Sequence, residues 1–176
     1  ERVTIAGGPV AVAPQVEDAL RDLGVTVRRL GGADRYESAA LLSSATFESA
    51  DTVYIATGTN FPDALAGVPA AAMRNAPILL VSDGIPAATR AELERLAPST
   101  VYVLGGPVAV SDAVFDDIEA IVDGAVVRQG GANRYETARL VSADAFGGSG
   151  GSVFIASGLG FLDALIAGPV AAHMGS

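Results

Sequence analysis

The sequence has no cysteine, no lysine, no tryptophan and only one histidine among its 176 residues. Without cysteine, disulfides, thiolate catalysis and cysteine-held zinc are excluded. A single histidine, His173, excludes a His–His metal site within the chain, and a Ser-His-Asp triad would rest on that residue alone. No metal, cofactor or catalytic group is expected. Positive charge is scarce as well: 11 arginines face 20 acidic residues, for a net charge of −9. That balance lacks the basic footprint of a general nucleic-acid binder and opposes adhesion to anionic lipid. An anionic partner would have to be held by a local arginine cluster, against the overall field. Every long apolar stretch is broken by Gly, Pro or Asp, so no membrane span is expected. Glu1-Arg2-Val3 leads directly into a strand-like run, so the opening residues are not expected to act as a signal peptide.

What the chain does have is small apolar residues. Half of it is hydrophobic, dominated by Ala and Val, with 21 glycines interspersed. This suffices for one compact α/β domain or two joined halves, with thin helices lying close on a sheet.

The chain also repeats itself. Val3–Leu23 aligns with Val101–Ile121 at an offset of 98, with 9 of 21 positions identical. Gly31–Phe47 aligns with Gly130–Phe146 at an offset of 99, with 10 of 17 identical. Val53–Met73 aligns with Val153–His173 at an offset of 100, with 11 of 21 identical. A period near 99 residues is too long for a solenoid turn and fits a duplicated subdomain. Arg74–Ser99 has no second copy, so a continuing array is expected around this segment.

Short β-branched runs at Val3–Ala6, Val25–Leu30, Val53–Thr57, Ile78–Ser82, Val101–Leu104, Val126–Gln129 and Val153–Ser157 predict buried parallel strands. Helices are predicted between them, over Pro14–Leu23, Arg35–Phe47, Pro62–Met73, Pro86–Leu96, Asp112–Val122, Arg134–Phe146 and Leu162–Met174. Strict alternation implies open parallel sheets with helices on both faces and right-handed crossovers. Asp34 with Glu37, and Asn133 with Glu136, read as capping-box-like helix starts. Pro69 and Pro169 fall inside helical stretches and predict a break or kink.

Three motifs stand out. Gly31-Gly32-Ala33-Asp34-Arg35-Tyr36-Glu37 recurs as Gly130-Gly131-Ala132-Asn133-Arg134-Tyr135-Glu136. Arginine at the first helical position opposes the helix dipole, so something negative should compensate. The favoured reading is an ion pair with Asp63, Asp163 or a neighbouring Glu; the other is a ligand anion or polar sugar polymer, for which the guanidinium fork is suited. Ala56–Leu65 recurs as Ala156–Leu165, beyond a strand's carboxyl end, where open α/β sheets bind ligands. Its Asp63 and Asp163 lie in a first helical turn, with capping or arginine pairing favoured over ligand contact. Gly7-Gly8-Pro9 and Gly105-Gly106-Pro107 lack the Lys-Ser or Lys-Thr of a phosphate-binding loop and read as turns.

The blocks at Gly31–Ala39, Ala56–Gly67, Ala76–Leu80 and Val101–Gly106 resemble, in order and spacing, the family called cell wall binding repeat 2. That resemblance implies a Rossmann-like or flavodoxin-like module, usually three in tandem around a pseudo-threefold axis. Residues 1–28 would then be the C-terminal part of one repeat, 29–127 a complete repeat and 128–176 the N-terminal part of the next. It also implies an extracellular location at the wall of a Gram-positive bacterium. The partner would be an anionic, teichoic-acid-like or other secondary wall polysaccharide, and the family associates the Ile78-Leu79-Leu80 block with anchoring. As a strand, that block would be buried, and damage there would act through folding. Candidate polymer-binding residues are Arg35, Tyr36, Asp63, Ile78, Leu79, Leu80, Arg134, Tyr135 and Asp163. Leu162 in place of Pro, Asn133 in place of Asp, and Gln129 in place of the Leu seen at Leu30 depart from the pattern. Two other readings compete. One is a self-assembling surface protein whose repeats complete each other between chains, by packing with further repeats or as a homo-oligomer. The other is a nucleotide-using α/β enzyme, which rests on fold analogy alone.

Overall fold

A computed structural model describes residues 1–147 and 152–174. The elements follow in the order β1 (Arg2–Ala6), α1 (Pro14–Asp22), β2 (Thr26–Leu30), α2 (Arg35–Thr46), β3 (Thr52–Thr57), α3 (Pro62–Met73), β4 (Ile78–Val81), α4 (Ala87–Leu96), β5 (Thr100–Leu104), α5 (Asp112–Glu119), β6 (Ala125–Gln129), α6 (Arg134–Phe146) and α7 (Leu162–Met174). β1 and β2 pair as a two-stranded sheet, and the other four strands form a sheet in the order β4-β3-β5-β6. All the pairings are parallel. The β1-α1-β2 unit repeats β5-α5-β6: Arg2 lies opposite Thr26 as Thr100 lies opposite Ala125.

The central sheet is buried on both faces because each strand alternates its side chains between two cores. Val53, Ile55, Val101 and Val103 point to one side, where Leu93 and Leu96 of α4 and Val114 and Ile118 of α5 meet them. Tyr54, Ala56 and Leu104 point to the other, against Ala70 and Ala71 of α3 and Val141 of α6. The small residues of α3 let it lie close: a Cβ on Gly67 would come within 2.4 Å of Leu104 Cδ1. Among the described residues no helix is long and apolar enough to cross a membrane.

The two copies of the Arg-Tyr helix pack against different neighbours. α2 packs on β4 and α4, whereas α6 packs on α3, which also carries α7. At the first of these contacts Arg95 donates to the carbonyls of Phe47 and Glu48 at 2.8 and 2.9 Å, satisfying the end of α2, while the buried Glu92 receives it at 2.7 and 2.8 Å.

Three expectations need correction. Val153–Ser157 forms no strand, although its copy β3 does. β3 is flanked by β4 and β5, and the sequence holds no second copy of β4 or its following helix for 153–157 to pair with. Neither proline breaks its helix: α3 runs through Pro69 and α7 through Pro169. The packing of α3 between the sheet, α6 and α7 outweighs one lost backbone bond. Finally, α5 stops at Glu119, short of the expected Val122.

Ile78, Leu79 and Leu80 form the β4 edge of the sheet, and Leu79 is fully buried in the first core. A Leu79→Ala chain is expected to lose about 2–5 kcal/mol of unfolding free energy. Urea denaturation reads this directly, and an unchanged midpoint would contradict the packing described.

Candidate functional site

Each Arg-Tyr turn begins where two backbones cross. A Cβ on Gly31 would lie 2.1 Å from the carbonyl carbon of Gly7, and one on Gly130 would lie 2.4 Å from that of Gly105. Only glycine fits at either crossing. The helix is then capped by side chains. Asp34 accepts from the Glu37 N–H at 2.8 Å, and Glu37 reaches back to the Ala33 N–H at 2.6 Å. Ser38 Oγ accepts from Gly32 N–H at 3.0 Å and donates to the Asp34 carbonyl at 2.7 Å. In the second copy Asn133 accepts from Tyr135 and Glu136, Glu136 reaches Ala132 N–H at 2.8 Å, and Thr137 accepts from Gly131 N–H at 3.1 Å. The Asp-to-Asn and Ser-to-Thr exchanges therefore keep the cap.

The arginines do not find the expected carboxylate. Arg35 Nη1 donates to the Gly58 carbonyl at 2.5 Å, and Arg134 Nη1 donates to the Gly158 carbonyl at 2.5 Å. Among the described residues neither guanidinium has a carboxylate oxygen within 4.0 Å. Each tyrosine ring lies over the same glycine: a Cβ on Gly58 would meet Tyr36 Cε1 at 2.5 Å, and one on Gly158 would meet Tyr135 Cε1 at 2.6 Å. The Arg-Tyr turn is thus seated on the loop after the next strand segment, by one carbonyl and one ring. Arg35 is exposed and Arg134 half-buried; Tyr36 is half-buried and Tyr135 exposed.

Asp63 and Asp163 occupy matching places in sequence but different surroundings. Asp163 is exposed. Asp63 is half-buried in the crevice between β3 and β5, where the strand order reverses and the main chain of Gly105 takes φ +96. A Cβ on Gly105 would lie 2.7 Å from Asp63 Oδ2. Burial raises the Asp63 pKa, opposed by a hydrogen bond from the Thr137 hydroxyl and by the positive charge of Arg134. The chain's own carboxylate therefore stands where an open α/β sheet would receive a phosphate.

Beside this crevice, α3, α6, α7 and the 152–158 segment enclose a cavity of about 490 Å³. Arg134 and Tyr135 line it together with Phe61, Phe154, Leu65 and Phe146. The α6 face lining it includes Ala138, Val141, Ser142 and Phe146. Their counterparts on α2, Ala39, Leu42, Ser43 and Phe47, line the seam with Pro77 and Ile78 of the β4 edge.

The structure therefore joins Arg134, Tyr135 and Asp63 at one junction and seats Arg35 and Tyr36 at another. Ile78, Leu79 and Leu80 lie apart, in a strand. The motif reading missed Arg29 and Arg128. Arg29 holds the Gly-Gly-Pro loop through the carbonyls of Gly7 and Val12 at 2.9 and 3.0 Å. Arg128 does the same at Gly105 and Val110, at 3.3 and 2.8 Å. Their recurrence at an offset of 99, shared with Arg35 and Arg134, was the available signal.

Two outcomes are expected from these contacts. A Gly58→Ala change must displace Tyr36 and is expected to destabilise the chain by roughly 1–3 kcal/mol in thermal or urea unfolding. Asp63 supplies a pH signature. Its folded pKa lies above its unfolded value, so its contribution to stability is complete below the unfolded pKa and is lost as pH rises through the folded one. Wild-type stability relative to Asp63→Asn should decline across that acidic interval, and a pH-independent difference between the two would refute the burial of this carboxyl.

Comparisons with known proteins agree with this architecture. The family model described as cell wall binding domain 2 matches residues 29–115 and 128–176. The N-acetylmuramoyl-L-alanine amidase LytC of Bacillus subtilis is 34% identical over 151 residues, covering 85% of this chain and 30% of that protein. The amidase enhancer of the same organism is 32% identical over 84% of this chain and 20% of its own length. Among solved structures, Cwp8 from Clostridium difficile superposes with a TM-score of 0.84 at 27% identity, covering 99% of this chain and 30% of that one. Cwp6 from the same organism gives a TM-score of 0.62 at 36% identity, over 65% of this chain and 18% of that one. The chain thus spans a third or less of each of these relatives. With its repeated Arg-Tyr turns, its duplicated parallel sheets and a family model covering most of its length, this chain belongs to the cell wall binding domain 2 family, whose place is the cell wall outside the cell.

Proposed function

We propose that this chain is a non-catalytic grip that holds its parent protein noncovalently on an anionic, teichoic-acid-like wall polysaccharide through the turns at Arg35-Tyr36 and Arg134-Tyr135. One observation carries the reading. Each guanidinium is fixed by a single backbone carbonyl, and among the described residues neither has a carboxylate oxygen within 4.0 Å, although Asp63 lies near enough to feel the charge of Arg134. Each keeps further N–H donors in a fixed orientation for an anionic oxygen, at the N-terminal end of a helix that favours negative charge. Tyr36 and Tyr135 beside them offer rings against which a sugar face can rest. Leu79, fully buried, serves the grip through the fold, and Asp63 serves it by holding the second turn's surroundings. The repeat boundaries in this reading are 1–28, 29–127 and 128–176.

A second reading rests on the cavity beside α6. Residues 152–157 form no strand, and the α6 face equivalent to the one that meets the β4 edge on α2 borders the cavity where α2 meets a strand. A strand like Ile78–Val81 from a further repeat, in the same chain or another, would complete it. Mass measurement by light scattering distinguishes a monomer from the inter-chain version.

The polymer reading is tested by sedimentation with purified walls, before and after removal of their anionic polymer, across a salt series. Wild-type chain is expected to sediment with intact walls and to be released by salt. At about 1 kcal/mol or less for each exposed charge contact, Arg35→Ala with Arg134→Ala should weaken retention by up to roughly thirtyfold. Undiminished retention of a folded double variant would remove the two turns from the binding surface.

A further inference from the structure

The junction between the sheet and α6 is built on a polar cluster that the sequence motifs do not mark. Arg74, at the end of α3, donates through Nη1 to the Tyr54 hydroxyl and through Nη2 to Asp144 Oδ2 at 2.7 Å. Its guanidinium lies 4.6 Å from the centre of the Tyr102 ring, which stacks on Tyr54 at 5.2 Å. Gln129, at the end of β6 and only 7% exposed, donates to the same Asp144 oxygen at 2.7 Å. Its own Oε1 is buried with no hydrogen-bond partner.

The repeat gives Gln129, Asp144 and Tyr54 counterparts, and the offset of 100 carried one residue past the aligned stretch puts Met174 at the place of Arg74; these residues cannot rebuild the cluster. Leu30 stands in for Gln129, Ala45 for Asp144 and Met174 for Arg74, while Phe154 replaces Tyr54 and lacks the hydroxyl that receives Arg74. One Arg-Tyr helix is thus flanked by an apolar pair and the other by an amide and a carboxylate. Gln129 is buried with an orphaned acceptor, Arg74 is half-buried and Asp144 is exposed at the rim, an arrangement that gains little stability over apolar packing of the same shape. It discriminates between partners nonetheless, because a mismatched docking leaves the half-buried Arg74 guanidinium and the buried Gln129 amide without the acceptor they share.

We propose that Arg74, Gln129 and Asp144 form an order key: they admit the α6 helix onto the face of α3, β3 and β5 and reject a helix of the α2 kind, so that successive repeats dock in one sequence only. With the residues of α2 at this place, Arg74 would lose its carboxylate and the amide beside it. With α6 placed on a Met174-type face, Asp144 and Gln129 would lose their cation. This surface acts between repeats and is independent of which polymer the array holds.

The test uses the full chain in four forms: wild type, Gln129→Leu/Asp144→Ala, Arg74→Met, and the triple variant. Hydrogen exchange of the α6 amides reports how tightly that helix is seated, with urea unfolding alongside. The double variant, which gives α6 the residues of the other junction, should exchange roughly tenfold faster or more, as expected for the loss of coupled contacts. Adding Arg74→Met should restore protection to within about threefold of wild type, since the apolar set is then self-consistent. If the double variant fails to fold, rescue by Arg74→Met still supports the key. Wild-type exchange in the double variant, or no rescue in the triple one, would overturn it.

Discussion

The seating of a tyrosine ring and an arginine on a glycine carbonyl is the contact on which the rest depends. It occurs twice, at Gly58 and at Gly158, and in both places it ties the start of one unit's helix to the loop of the next strand segment. A side chain at that glycine would unseat the ring, so the loop's composition is set by the helix start of its own unit. From this contact the orientation of α2 and α6 follows. Those helices decide which face of the sheet is covered by which unit.

The two copies are alike in backbone and differ in their setting. Asp63 is enclosed by Gly105, Thr137 and Arg134, while Asp163 is exposed. Arg128 bonds Asp112 and covers the Phe115 ring, whereas Arg29 bonds Glu17 instead. The clamp on the Gly-Gly-Pro loop survives both arrangements. What is preserved is the demand of the loop carbonyls for donors; which acid balances the arginine is free to vary.

Much of the fold was legible in the sequence because it rests on local rules. Strand–helix alternation gave the parallel sheets, the Asp34 and Asn133 caps fixed where α2 and α6 begin, and the internal repeat showed that two units share one plan. Where the sequence misled, a non-local term was responsible. Val153–Ser157 has the composition of β3 without β3's neighbours, and a strand is defined by pairing as much as by its own residues. Pro69 breaks no helix because α3 is held on several sides. The charge conflict at Arg35 was legible, but its resolution by a main-chain carbonyl was not, since a carbonyl leaves no trace in residue type. The Arg74–Asp144 contact spans 70 residues and involves positions where the copies differ, so aligning the copies hid it.

The carboxyl group of Asp63 in the crevice at the turn of the sheet bears on what that crevice can receive. Folds of this outline ordinarily keep that niche open for cofactors and metabolites. Here the tenant is built in, and the Gly105 backbone leaves it little slack. A phosphate approaching that end of the sheet meets a carboxylate lodged against the Gly105 main chain.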